Sequence, residues 1–200
     1  MRRAILLLTM MAATLVVAGG VALAVTRIGT DGPDTLRETN GADNLIGKGG
    51  NDILLALAGD DNLLGGPGKD VLLGGNERRP SGGDKNLVGG SGNDAVIGGK
   101  GSDNLVGEEG NDFLVDGPFR EASKDKLVAG DGNDLMDATN KPAATDVLTC
   151  GAGFDRVAVD SKDVVAPDCE RVFRGLASGE AFFESIPQNF FEGLNPDFFG

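Results

Sequence analysis

The chain has 200 residues, 33 of them Gly, with no Trp, Tyr or His and a formal net charge of −13. That composition excludes an ordinary aromatic-rich core, and the missing His excludes Ser-His-Asp and Cys-His catalytic sites. The charge is hostile to nucleic acid and to anionic membrane surfaces, and it suits cations.

Residues 1–24 read as a secretory leader. Arg2 and Arg3 form a basic start, Ala4 to Val17 is almost wholly apolar, and Ala22-Leu23-Ala24 is an A-x-A cleavage pattern. The stretch 4–25 is also long enough to span a bilayer, so an uncleaved anchor is the alternative. Cleavage leaves no membrane span and takes both arginines away, so the net charge becomes −15. The expected location is therefore extracellular, free or associated with the cell wall.

From residue 29 the chain repeats every nine residues. Asp34, Asp43, Asp52, Asp61 and Asp70 stand nine apart, and so do Asp94, Asp103 and Asp112. The units are 29–37, 38–46, 47–55, 56–64 and 65–73, then 80–88, 89–97, 98–106 and 107–115 after an insert at 74–79. Looser units follow at 120–128, 129–137, 141–149 and 150–158, with inserts at 116–119 and 138–140. Of these thirteen units, position eight is apolar in all, position six is Asp in twelve and position four is Gly in eleven. A fixed period of this kind marks a stack of short units that bury their few aliphatics against one another.

Positions one to six are Gly-rich and polar and make a turn, while positions seven to nine are strand-forming. In a three-residue strand the middle side chain points opposite to its neighbours. Leu36, Leu45, Leu54, Leu63, Leu72, Leu87, Val96, Leu105 and Leu114 are therefore expected to point inward. The position-nine aliphatics, Ile46, Leu55, Leu64, Leu73, Val88, Ile97, Val106, Val115 and Val128, should form outward ridges.

With its pattern G-G-x-G-x-D-x-U-x, the segment 29–158 resembles the repeats-in-toxin family of haemolysin-type calcium-binding repeats. The resemblance implies an all-β fold: a right-handed parallel β-roll with turns stacked along both edges. It also implies several Ca²⁺ ions, each held between the turns of units n and n+2. By position, the Asp ligands are Asp34, Asp43, Asp52, Asp61, Asp70, Asp94, Asp103 and Asp112, with Asp134, Asp125, Asp146 and Asp155 matching less closely. Carbonyl donors are expected around Gly32, Gly41, Gly50, Gly59, Gly68, Gly92, Gly101 and Gly110. Stacked Asp carboxylates and bare Gly carbonyls suit a hard cation that takes six to eight oxygens. Departures fall at Lys85, which stands in for Asp and places an ammonium where an ion would otherwise sit, and at Ser123 and Ala144, which replace Gly. Filled sites are expected mainly in 29–73 and 89–115.

Cys150 and Cys169 form an even pair behind a leader, which suggests one disulfide. Metal ligation by them is the rival, weakened by the lack of His and of a CxxC pair. Residues 150–173 leave the repeat rhythm, and the segment 159–174 is read as a disulfide-pinned cap over the open end of the stack. The tail 175–200 repeats Phe pairs at Phe182, Phe190 and Phe198. It is either a flexible extension or a docking element for a membrane, the roll itself, a second copy or a cell-surface partner.

The function expected is that of a secreted calcium-binding module that folds on Ca²⁺ and has no catalytic activity. Relatives with lytic activity carry a separate active domain, for which 200 residues leave no room. A carboxylate-pair glycosidase is the enzymatic rival, but the period accounts for each repeated Asp, and sugar-stacking Trp and Tyr are absent. A structural or adhesive surface protein is the nearer alternative. An ice-binding solenoid would need rows of Thr, and the strand positions here are aliphatic.

Overall fold

The computed structural model describes residues 24–75, 85–117, 123–140 and 143–175. The expected leader and Phe-rich tail, and most of the 74–79 insert, lie outside the described residues. The described chain is all strand and turn, and no helix in it is long and apolar enough to cross a membrane. The strands alternate between two parallel sheets. The first holds β1 (Thr26–Ile28), β3 (Asn44–Ile46), β5 (Asn62–Pro67), β7 (Asn86–Ser91), β9 (Asn104–Glu109), β11 (Lys126–Gly132), β13 (Val147–Gly153) and β15 (Val164–Val165). The second holds β2 (Thr35–Arg37), β4 (Ile53–Leu55), β6 (Val71–Leu73), β8 (Ala95–Ile97), β10 (Phe113–Val115), β12 (Leu135–Ala138), β14 (Arg156–Val159) and β16 (Arg171–Arg174). This is the parallel β-solenoid expected from the period.

Three-residue strands are too short to stand alone, so register comes from the stack. Asn44 pairs with Asn62 and Leu45 with Leu63, and the same step of two units recurs along both sheets. Position eight therefore falls on position eight. Leu45, Leu54, Leu63, Leu72, Leu87, Val96, Leu105, Leu114, Leu127, Met136, Leu148 and Val157 form one interior column with at most 1% exposure each. Leu36, in the first strand of the second sheet, is only partly buried, because no coil covers it.

The outer faces differ. On the first sheet position seven is Asn44, Asn62, Asn86 and Asn104, whose side-chain amides chain together at 3.0, 3.0 and 3.4 Å. On the second sheet it is Ile53, Val71, Ala95, Phe113 and Leu135. There Phe113, Leu135 and Ala158 form a second, smaller apolar cluster with Val115 and Phe173. The position-nine residues are half-buried, apart from Leu64, which is exposed.

Turns leaving the first sheet (29–34, 47–52, 65–70, 89–94, 107–112, 129–134, 150–155) stack along a first edge. Return turns (38–43, 56–61, 98–103, 160–163 and the described parts of those between β6 and β7, β10 and β11, and β12 and β13) stack along the second edge. From β5 to β13 the first edge is so regular that turn residues join the ladder, with Pro67 paired to Ser91 and Asp131 to Ala152. The described residues of the inserts, 74–75, 116–117 and 139–140, fall on the second edge.

The roll runs past the expected limits of 29 and 158. β1 precedes the first nonapeptide, and within 159–174 β15 and β16 add one more strand to each sheet. The Cys150–Cys169 disulfide, with a Cα–Cα distance of 5.2 Å, ties this last coil to the body. The Asp168 carboxylate accepts the Gly151 N–H at 3.1 Å.

The interior column makes a stability prediction. Leu105→Ala should lower the stability of the folded protein by about 2–5 kcal/mol, because a fully buried leucine leaves a cavity. The outward Val106→Ala should cost clearly less. Thermal melts of both variants in saturating Ca²⁺ check the difference.

Candidate metal centre

The position-six Asp side chains build two ladders, one per edge. On the first edge the N–H of Asp34 donates to Asp52 Oδ1 at 2.8 Å, that of Asp52 to Asp70 at 2.8 Å, and that of Asp70 to Asp94 at 2.8 Å. Asp94 continues to Asp112, Asp112 to Asp134, and Asp134 to Asp155, all at 2.7–2.8 Å. The series ends with the Asp155 N–H on Glu170. Each carboxylate thus fastens its own coil to the coil before it through one oxygen, and charge-assisted bonds of this kind are strong.

The other oxygen has no such duty. Oδ2 of Asp52, Asp70, Asp94, Asp112, Asp134 and Asp155 is buried and accepts no hydrogen bond, an unbroken run of six along the first edge. Buried anionic oxygens without a partner are costly and call for a cation or a proton.

Position one opens space for them. A Cβ built on Gly47 would press against Asp52 Oδ2 and lie 2.6 Å from the carbonyl oxygen of Gly65 in the next coil. The same convergence of an Asp Oδ2 and a carbonyl from the next coil recurs at Gly29, Gly65, Gly98 and Gly107. Each such glycine leaves a space where a carboxylate oxygen and a carbonyl oxygen converge, donors that suit Ca²⁺. Position four also shapes the turn. Gly50, Gly59, Gly68, Gly92, Gly101 and Gly110 all adopt positive φ, from 104° to 157°, so they reverse the turn.

The second edge carries its own donors. Thr39 gives its N–H and hydroxyl to Asp43 Oδ2 at 3.1 and 2.8 Å. Ser123 caps Asp125 Oδ2 at 3.1 Å, and the Asn140 amide reaches Asp146 and Asp116 at 3.0 and 3.3 Å. Lys85, 1% exposed, sends its ammonium to the carbonyl oxygen of Lys100 at 2.8 Å and lies 3.8 Å from Asp103. That tethered cation takes one ladder carboxylate and one turn carbonyl, the kinds of ligand a metal ion would take there. Two clusters of three carboxylates lie on this edge, Glu38 with Asp43 and Asp61, and Asp116 with Asp125 and Asp146.

Burial sets the acidities. It pushes Asp70 up to about 6, Asp94 to about 7, Asp112 to about 8 and Asp134 to about 7, against the pull of the ladder N–H and with repulsion from neighbouring Asp adding to it. Glu38 and Asp116 are each raised to about 9, first by burial and then by the carboxylates of their clusters. Asp34, at the open end, is held low by the N–H and hydroxyl of Thr30.

The structure thus sorts the expected ligands by edge. Asp34, Asp52, Asp70, Asp94, Asp112, Asp134 and Asp155 share the first edge, while Asp43, Asp61, Asp103, Asp125 and Asp146 share the second. Three features were missed in the sequence: the position-one glycines, Glu38 and Asp116. Aligning the units shows Gly at position one in 29, 47, 65, 89, 98 and 107, and Glu in 38, so that signal was available. Asp116 sits in an insert and has no sequence signal.

A family model described as the RTX calcium-binding nonapeptide repeat matches four times, at residues 28–56, 39–72, 81–114 and 121–140. No curated protein matches the chain.

Two predictions follow from the cradles and the acidities. Gly47→Ala should remove one bound Ca²⁺, whereas Gly49→Ala, whose nearest neighbours lie 3.9 Å from a built Cβ, should leave binding unchanged. Equilibrium dialysis of the two variants beside the parent checks this. For pH, the ladder acids titrate higher in the fold than in the open chain, so the metal-free fold holds protons that the unfolded chain releases. Its stability is present below about pH 4 and is lost as pH rises through about 6 to 8. Far-UV circular dichroism in chelator should show β signal gained on acidification from pH 8 to pH 4.

Proposed function

The chain belongs to the RTX calcium-binding nonapeptide repeat family, and we propose that it is a secreted module whose roll is completed by several Ca²⁺ ions and which has no catalytic activity. The observation that carries this reading is the run of six unpartnered buried carboxylate oxygens on the first edge, from Asp52 to Asp155. Asp34, at the solvated end, extends the row. Asp Oδ2 and the carbonyl of the next coil's position-one residue are the proposed ligands, with the turns held in shape by Gly50, Gly68, Gly92 and Gly110. Each ion bridges two coils, so binding and stacking are one event.

Ca²⁺ acts here as a fold-completing ion. Without it the carboxylate rows repel, and the net charge of −13 opposes compaction. Each coil contributes only two interior aliphatics, too little to order its turns alone. A chain exported from low to high calcium would therefore travel loose and close outside the cell. No chemical step is assigned to the Asp residues, because each is engaged in the ladder through its backbone and one oxygen.

The test is a Ca²⁺ titration of the metal-free mature chain near pH 7.5, followed by far-UV circular dichroism. A cooperative rise in β signal, reversed by chelator, is the expected result. A β signal that is full in chelator and unchanged by Ca²⁺ overturns calcium-driven folding.

A further inference from the structure

We propose that the tail, residues 176–200, is the cover of the second sheet's outer face, and that its Phe pairs seat on the apolar strip there. The proposal goes beyond the calcium reading and does not depend on it. It starts from an imbalance in burial. On the first sheet, position seven points outward and meets solvent: Asn62, Asn86 and Lys126 are exposed, and Val147 is 42% exposed. On the second sheet the same position is closed off. Val71 and Phe113 are 7% exposed, Ala95 5% and Leu135 1%, and the position-nine Ala158 is 1% exposed. All these strands have a neighbour on each side, so flanking strands leave position seven open on one sheet and cannot by themselves seal it on the other. The sixteen described strands are all used in the two sheets, so none of them lies over this face. A Leu at 1% on the outside of a sheet needs a layer above it.

The gradient of burial points to the segment that supplies this layer. Burial is deepest at Leu135 and Ala158, near the C-terminal end of the sheet. It runs out at the far end, where Ile53 is half-buried and Thr35 exposed. The tail leaves from the C-terminal end, directly after β16, the edge strand of this sheet. Phe173 of β16 already packs in the outer cluster with Phe113, Leu135 and Ala158. Gly175 donates its N–H to the Val159 carbonyl oxygen at 3.1 Å and takes a φ of 87°, a left-handed bend at the exit. The leader, by contrast, joins the roll at β1, at the opposite end and on the other sheet. From β16 to β6 is five strand spacings, about 24 Å in all. The 25 residues of 176–200 reach about 80 Å when extended, enough to cross the strip and return. Phe182-Phe183, Phe190-Phe191 and Phe198-Phe199 give three apolar anchors, and around them stand Glu180, Glu184, Glu192 and Asp197 with no Lys or Arg. The receiving end carries Arg156, Arg171 and Arg174, with the Arg171 guanidinium 5.1 Å from the centre of the Phe173 ring. Aromatic anchors thus meet an apolar strip, and acids meet the arginines at its rim.

The test places p-benzoylphenylalanine at Phe190 of the full chain, in Ca²⁺, and maps its photo-crosslinks by mass spectrometry. Crosslinks within one molecule to peptides holding Phe113, Leu135 or Ala158 are expected. Crosslinks joining two molecules give the face to a second copy and overturn the proposal, as do crosslinks confined to the first sheet or none at all. In parallel, Phe182→Ser, Phe183→Ser, Phe190→Ser and Phe191→Ser together remove two of the anchors without touching the roll. Fluorescence of a dye that binds apolar surface should rise severalfold, or the chain should self-associate, while circular dichroism keeps the β signal. A dye-silent monomer overturns the proposal, and where the Ser variant does not fold the crosslink map decides alone.

Discussion

Everything in this molecule depends on how one carboxylate divides its two oxygens. At position six, Oδ1 accepts the N–H of the Asp one coil back, and along the first edge this repeats from Asp34 to Asp155. The bond needs no metal and sets the stacking register. It also brings the next oxygen, Oδ2, into the protein and away from water. The same contact that builds the ladder therefore creates the demand for a cation. A side chain without two equivalent acceptors could not do both. Lys85, which has none, breaks the second-edge ladder and supplies a positive charge in its place.

The two edges solve that demand differently. The first edge is uniform enough for its turns to join the sheet, and its cradles stay open because position one is Gly from 29 to 107. Further along, Ala129 and Cys150 take position one and are fully buried, so the cradle narrows towards the disulfide-tied end. The second edge carries the described parts of the inserts, and Thr39, Ser123, Asn140 and Lys85 place donors along it.

The interior supports this arrangement without dominating it. One column of Leu and Val, sealed between two sheets, supplies apolar burial that is repeated and thin. Thin cores of this kind rely on neighbours, so stability accumulates coil by coil. The Cys150–Cys169 link ties the last coil, whose β15 and β16 are the edge strands of the two sheets, to the body. On the outside, the Asn ladder of the first sheet and the apolar strip of the second give the roll two unlike faces.

The sequence by itself determined the solenoid, the inward column and the set of repeated aspartates. A nine-residue period forces equal positions into equal environments, so Leu63, Leu87 and Leu105 could be assigned inward from spacing alone. It also pointed to Lys85 as a built-in ammonium and to the Cys150–Cys169 pairing. Only the tertiary structure decided which aspartates share an edge, because edge membership depends on the parity of the unit and on where inserts fall. Read linearly, the looser units after 116 weaken the whole array. In space the described residues of these irregularities, 116–117 and 139–140, sit on the second edge, and the first-edge run continues undisturbed to Asp155. Glu38 and Asp116 show the same limit. Each is a single departure from the period, and its meaning comes from two carboxylates within 4.8 Å of it, one of them only five or nine residues away in sequence and the other 23 or 30.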